Sequence, residues 1–345
     1  RDPHSQLEGV LLAAYAAGAQ EAVLYIRFEY PRVLEIVDRA ISEAKDAGII
    51  GKKIFGSDFS CDVRIVKGQG AYICGEETAL LRSIEGVPAI VSFKPPFPAV
   101  AGAFGRPTVI NNVETLAMVG PIMVRGADWF KSMGTQRPPG APPNVPASFG
   151  PKLYGVSGHV KRPGVYEDEL GVKLSYVIET LCQGMRNGKK FKAAIPGGVS
   201  MGILATHEYD AILDFDIGKR NNCLGLGTAG VIVMDEDTDM IAVCRNIVRF
   251  FSHESCGQCT PCREGTTWMY KILCRIEEGF GTTRDLDLLL ELSGSMGIMP
   301  GTTICGLSDG ANWAVRTIVN KFWSEFESRV APDRAKSLPV LQTAH

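Results

Sequence analysis

The chain has 345 residues, 36 basic against 38 acidic side chains and a formal net charge of −2; at 45% apolar residues it can bury a sizeable core, which excludes a disordered chain. The balanced charge argues against a nucleic-acid groove or a polybasic membrane patch, since both need clustered positive charge. No run of about 18 apolar residues is present to span a bilayer, and the length predicts two or three globular domains.

The start, Arg1-Asp2-Pro3-His4, has no Met and no charged-then-apolar layout. The chain is therefore expected to begin inside a larger polypeptide. Ten cysteines are present, and three of them crowd into Cys256-Gly-Gln-Cys259-Thr-Pro-Cys262. Crowded thiols without secretion signals point to metal ligands in a reducing compartment, so a cytoplasmic location is expected.

In chain order, Leu7 to Ala17 predicts a buried helix ended by Gly18, and Ala22 to Ile26 a short strand. Pro31 opens a second helix with Val33, Leu34, Ile36, Val37, Ala40 and Ile41 on one side and Gly48 after its end. Cys61 to Val66 is a strand followed by a glycine turn. This alternation predicts a mostly parallel sheet covered by helices, that is, an α/β fold. Gly86 to Pro107 reads as a stiff connector, and a helix is expected over Val113 to Val124. Residues 138–151 hold six prolines and read as a linker. Beyond it, Lys152 to Ser157 and Gly164 to Tyr166 predict a hairpin, Leu174 to Cys182 a helix, and Phe191 to Pro196 and Ala229 to Met234 two more strands. Helical runs at 240–253, 264–278, 284–296 and 309–330 predict a four-helix bundle. The domains expected are 1–137, 151–237 and 238–330, with 331–345 as a tail.

The cysteines carry the sharpest chemistry. A C-x2-C-x2-C run wraps three corners of a cubane, and Thr303-Ile-Cys305 offers a fourth thiol. Zinc competes, although four-thiolate zinc sites usually come from two separated C-x2-C pairs. Cys244 and Cys274 are alternative fourth ligands; Cys274 sits on an apolar helical pattern, whereas Cys305 lies in a loop between helices. The turn Lys67-Gly-Gln-Gly70, after a strand, lets a ligand approach the backbone, but Gly68-x-Gly70 lacks the third glycine of a dinucleotide fingerprint. Glu76 and Glu77 at a helix start complement the macrodipole or accept from ribose hydroxyls. Phe97 offers a ring to stack on and Lys94 a cation within reach of a phosphate, with a plain rigid loop as the competing reading. Asn111 and Asn112 have the amides a flavin's polar edge needs, or simply cap a helix. His253 reads as helix packing or a cap.

Taken together, Gly70-Ala-Tyr-Ile-Cys-Gly-Glu-Glu-Thr-Ala-Leu80, Lys94-Pro-Pro-Phe-Pro98, Asn111-Asn-Val-Glu-Thr-Leu116 and Glu254-Ser-Cys-Gly-Gln-Cys-Thr-Pro-Cys-Arg-Glu-Gly265 closely resemble the NADH-binding flavoprotein subunit of respiratory complex I, NADH:quinone oxidoreductase. Diaphorase subunits of NAD-linked hydrogenases and formate dehydrogenases belong to the same family. The resemblance runs from Pro3-His4 to about Phe326. It implies a Rossmann-like flavin domain, a ubiquitin-like β-grasp domain and a cluster-bearing helical bundle. It also implies FMN contacts from Gly75, Glu76, Asn111, Asn112 and Thr115, an NADH side lined by Tyr72, Glu77, Lys94 and Phe97, and a [4Fe–4S] cluster on Cys256, Cys259, Cys262 and Cys305. Leu307 would lie between cluster and flavin. The family's front end, a glycine-rich aromatic loop for FMN phosphate and an acidic segment, is not in this sequence, and the 184–222 region lacks part of the usual glycine-rich insertion.

What the resemblance implies is NADH oxidation on FMN, then single-electron transfer to the cluster and on to a partner's Fe–S centre. The implied partners are a thioredoxin-like [2Fe–2S] subunit and a larger Fe–S subunit. The implied location is peripheral at the cytoplasmic face of the inner membrane, or the matrix side in a mitochondrion. A hydrogenase or formate dehydrogenase diaphorase is the first alternative. An electron relay that has lost its flavin is the second.

Overall fold

The computed structural model describes residues 2–137 and 147–331. It divides into two compact units, Arg1–Met133 and Gly134–His345. Most of the expected 138–151 linker, and the tail after Ala331, lie outside the described residues.

Unit 1 begins with helix α1 (Pro3–Ala17), capped by the Asp2 carboxylate and ended at Gly18, whose φ of 69° is left-handed as expected. Strand β1 (Glu21–Arg27), helix α2 (Pro31–Asp46) and strand β2 (Asp62–Gly68) follow. β1 and β2 pair in parallel from Glu21↔Asp62 to Arg27↔Gly68. Such a pair needs a crossover, and α2 supplies it. Leu7, Val10, Leu24, Ala40, Ile41, Ala44 and Val63 form the core between sheet and helices. Helix α3 (Glu77–Ile84), helix α4 (Val113–Arg125) and the short α5 (Ala127–Lys131) complete the unit. α4 lies on α1 so closely that a Cβ at Gly9 would stand 1.8 Å from the Leu116 carbonyl oxygen, so only glycine fits there.

Unit 2 opens with two-residue strands β3 (Gly134–Thr135) and β4 (Ser148–Phe149), which pair antiparallel. Then come β5 (Pro151–Gly158), β6 (Gly164–Glu169), α6 (Leu174–Tyr176), β7 (Phe191–Ile195), β8 (Leu204–Ala205), α7 (Ile217–Asn221) and β9 (Gly230–Asp235). The sheet order is β6-β5-β9-β7-β8. β5 and β6 form the expected hairpin, whereas β5 and β9 run parallel. The helix expected over 174–182 begins as α6 and continues as a π turn, Val177–Leu181, with Leu174, Val177 and Ile178 buried in one core with Tyr154, Val156 and Val231. Five helices follow: α8 (Met240–Glu254), α9 (Thr260–Glu277), α10 (Thr283–Ser295), α11 (Leu307–Lys321) and α12 (Trp323–Ser328). α8, α9, α10 and α11 pack on one another. The fourth helix expected at 309–330 is thus two helices, broken where Phe322 adopts φ −121°, ψ 30° and buries its ring. Among the described residues no helix is long and apolar enough to cross a membrane.

Candidate functional site

Two places gather the chemistry, one in each unit. In unit 2 the cysteine run lies in the loop from α8 to α9. Gly257 turns this loop at φ 78°, a left-handed value that glycine takes without strain. Cys259 is the N-cap position of α9 and Cys262 sits in its first turn; Cys305 falls just before α11 begins. Two helix N-termini, those of α9 and α11, therefore stand at the thiol site.

The loop bearing Cys305 is fixed by side chains of α11. The Asp309 carboxylate accepts from the Ile298 N–H at 3.0 Å, and Asn312 Nδ2 donates to the Met296 carbonyl at 3.2 Å. The two loops then meet directly, because the Ile304 N–H donates to Cys259 Sγ at 3.3 Å. Burial pushes the Cys305 thiol up to about 11, with Cys262, Cys256 and Cys259 close enough to raise it further and the Leu307 N–H opposing them. Burial likewise raises the Cys262 thiol, while a hydrogen bond with Ser255, Oγ and Sγ 3.4 Å apart, pulls the other way.

Among the described residues no three His, Cys, Asp or Glu side chains are gathered tightly enough for a single ion. A cubane takes one thiolate at each iron, and the donor chemistry of four thiols brought together from two loops fits that group. Cys305, not Cys244 or Cys274, is the thiol that meets the other three. Cys244 is fully buried and its thiol is raised by burial, while Cys274 is half-buried beside Tyr270. Leu307 is buried as the first residue of α11. His253, expected to pack or to cap, is exposed in the last turn of α8.

In unit 1 the glycine turn runs into a 3-10 turn, Tyr72–Gly75, and then into α3. The Glu76 carboxylate caps α3, accepting from the Thr78 N–H at 2.8 Å, the Ala79 N–H at 3.1 Å and the Thr78 hydroxyl. The proline-rich connector folds back over α3. The Ser92 N–H donates to Thr78 Oγ1 at 2.9 Å, Arg82 Nε to the Pro88 carbonyl at 3.0 Å, and the Phe104 N–H to the Glu85 carboxylate at 2.7 Å. This return brings Lys94 Nζ to 3.2 Å from Glu76 and into contact with Glu77. Burial works against the Glu76 charge, yet hydrogen bonds from Thr78, Ala79 and Lys94 hold its carboxyl below the usual range. Lys94 is raised, burial being outweighed by the two glutamates.

The sequence suggests a phosphate for Lys94 and ribose hydroxyls for Glu76 and Glu77. The fold joins the three in one ion-paired cluster. Tyr72 and Phe97, four residues before Glu76 and three after Lys94 in sequence, are both exposed. Asn112 caps α4 by accepting from the Glu114 N–H at 2.7 Å, while Asn111 and Thr115 are exposed at the same helix start. Gly75 has nothing within 4 Å of its missing Cβ, an open backbone against which a flat ring can lie. These donors, acceptors and the open face fit a planar ligand with polar edges. Thr78, Ser255 and Asp309 are not singled out by the sequence; each lies in or near a quoted motif, but only the fold reveals its partner.

Three family models match the chain: Nuo51 FMN-binding domain over residues 1–121, SLBB domain over 153–204, and NADH-ubiquinone oxidoreductase-F iron-sulfur binding region over 242–329. The chain is 46% identical to NADH-quinone oxidoreductase F-subunit 2 of Rhizobium meliloti (strain 1021) over 334 residues, 97% of this chain and 76% of that protein. It belongs to the NADH-quinone oxidoreductase F-subunit family. The corresponding protein of Rhodobacter capsulatus is 43% identical over 331 residues, 95% of this chain and 74% of that one. Among solved structures, the NAD+-reducing [NiFe]-hydrogenase in the air-oxidized state matches with a TM-score of 0.82 and 34% identity, covering 99% of this chain but 54% of the hydrogenase chain. Family membership brings with it an FMN-binding region and a 4Fe–4S-binding region, the two regions in which the residue clusters lie.

Proposed function

We propose that this chain is the NADH-oxidising flavoprotein subunit of an NADH:quinone oxidoreductase. The observation that carries the reading is the convergence of Cys256, Cys259, Cys262 and Cys305 at two helix N-termini in the iron–sulfur region of the family. Bound FMN supplies the conversion of a two-electron donor into one-electron steps, and a [4Fe–4S] cluster supplies the one-electron relay toward a partner's Fe–S centre.

The chain's own residues bind and orient. Cys256, Cys259, Cys262 and Cys305 hold the cluster, with N–H groups of Ile304 and Leu307 bonded to sulfur. Gly75 would leave room for the flavin ring, and Glu76, Asn111, Asn112 and Thr115 would meet its polar edges; Leu307, two residues past Cys305, would border the cluster. Tyr72 and Phe97 stack against the nucleotide, Glu77 meets its ribose, and Lys94 exchanges one of its two carboxylate partners for a phosphate. No general base is needed for hydride transfer, so no Ser/His/Asp arrangement is called on. In the finer fold reading, unit 1 is the Rossmann-like flavin domain and unit 2 combines a β-grasp sheet with the cluster-bearing helices. The partners are a thioredoxin-like [2Fe–2S] subunit and a larger Fe–S subunit, and the chain is peripheral, on the cytoplasmic or matrix side. The structural likeness to the NAD+-reducing hydrogenase supports a second reading, the same half-reaction in a hydrogenase diaphorase; the higher identity to the quinone-linked proteins favours the first.

The test is made on the complete protein purified anaerobically with its partners. Released flavin and iron are quantified, and EPR spectra are recorded before and after adding NADH. One FMN per chain and a cubane signal that appears on NADH addition are expected. Iron without flavin and no response to NADH would leave a cluster relay in place of the NADH oxidase.

A further inference from the structure

Among the described residues, three hydrogen-bonding groups reach the sulfurs of the thiol site. Two are backbone N–H groups, Ile304 to Cys259 Sγ and Leu307 to Cys305. The third is a side chain, the Ser255 hydroxyl, 3.4 Å from Cys262 Sγ. In the protein alone, either the serine or the thiol can be the donor of that bond. With iron bound the ambiguity goes, because a ligating thiolate has no proton and can only accept. A second contact points the same way. The Gly257 N–H donates to Ser255 Oγ at 3.4 Å, which occupies a lone pair of that oxygen and leaves its proton for the sulfur. Cys262 is the buried member of the four, with 7% of its surface exposed, so water does not compete for its lone pairs.

We propose that the Ser255 hydroxyl is a potential-setting residue of the iron–sulfur site: its O–H bond to Cys262 Sγ raises the reduction potential of the bound cluster. The proposal rests on the reading of the four cysteines as cluster ligands. One-electron reduction adds negative charge that is shared with the thiolate sulfurs, and a hydrogen bond to sulfur strengthens as that charge grows. The donor therefore stabilises the reduced state more than the oxidised one. Ser255 belongs to the cysteine motif itself, directly before Cys256, yet it is not a ligand; it acts through Cys262.

The test compares wild type, Ser255→Ala and Ser255→Thr in the complete, anaerobically purified protein, by EPR-monitored redox titration and by iron content per chain. Alanine removes the donor and threonine keeps it. With Ser255→Ala at full iron content, the reduced-to-oxidised ratio at the wild-type midpoint is expected to fall about tenfold, a downward shift of about 59 mV for one electron, while Ser255→Thr stays near wild type. A wild-type midpoint in iron-replete Ser255→Ala overturns the proposal. So do equal shifts in the alanine and threonine variants, which would report packing. Iron lost from Ser255→Ala but kept by Ser255→Thr overturns it too, because the hydroxyl would then serve assembly. A wild-type protein without iron would instead sink the reading of the cysteines as cluster ligands.

Discussion

Glu76 does two jobs with one carboxylate: it caps α3 through the N–H groups of Thr78 and Ala79, and it receives Lys94. Its side chain is only 20% exposed, and burial alone would push its proton affinity up. The hydrogen bonds prevail, so the folded state holds the carboxyl below its ordinary value of 4.5. The sign of the linkage follows. The stability contributed is fully present above the unfolded value and is lost as pH falls through the folded one. Glu76→Gln keeps a capping oxygen but not the charge, and is expected to cost about 1 kcal/mol near neutral pH. The gap between variant and wild type, read as unfolding free energy against pH, should close as acid protonates the wild-type carboxyl. A gap that stays constant down to acid pH would show that the charge contributes nothing.

At the scale of elements, the site in unit 1 depends on how α4 is laid on α1. α4 brings Asn111, Asn112 and Thr115 to its first turn, and its close approach to α1 exists only because Gly9 has no side chain. Gly9→Ala would drive a methyl into the Leu116 carbonyl, 1.8 Å away, and backbone cannot yield as a flexible side chain would. A loss of about 1–3 kcal/mol is expected, read as a lower urea midpoint. Gly294→Ala is the matched control. It too lies in a helix, α10, but nothing stands within 4 Å of its Cβ, so it should be neutral or slightly stabilising. Equal, neutral or slightly stabilising changes in both variants would mean that helix propensity, not the α1–α4 contact, is being measured.

At the scale of the molecule, what was legible in the sequence was local. Gly18, Pro31 and Gly48 punctuate helices by their own conformational limits, so α1 and α2 were readable to within a few residues. The C-x2-C-x2-C spacing carries its chemistry in seven consecutive positions. What was not legible depends on returns of the chain. Lys94 meets Glu76 and Glu77 only because Ser92 is tied to Thr78, fourteen residues earlier. The π turn after α6, the break at Phe322 and the two-residue strands are set by tertiary packing, which leaves no period in the sequence.

The same kind of long-range return holds the two halves of unit 2 together, and it can be tested. Lys321, the last residue of α11, reaches across to the segment after β7. Its Nζ donates to the Ile203 carbonyl at 2.8 Å, the Asn221 carbonyl at 2.7 Å and the Glu208 carboxylate at 2.7 Å. Glu208 in turn accepts from the Ala205 N–H at 2.8 Å and Asn221 Nδ2 at 3.2 Å. Both charges are nearly enclosed, at 11% and 9% exposure, so neither can fall back on water. Lys321→Met would leave the carboxylate buried without its cation, at an expected cost of about 3–5 kcal/mol. Adding Glu208→Gln removes the stranded charge, so the double variant should recover much of that loss in a double-mutant cycle of denaturant midpoints. Because α11 also begins beside Cys305, Lys321→Met should shed iron faster under a chelator, and the double variant more slowly. If the two losses simply add, the lysine and the glutamate stabilise unit 2 independently and the enclosed pair is not what ties the end of α11 to the segment after β7.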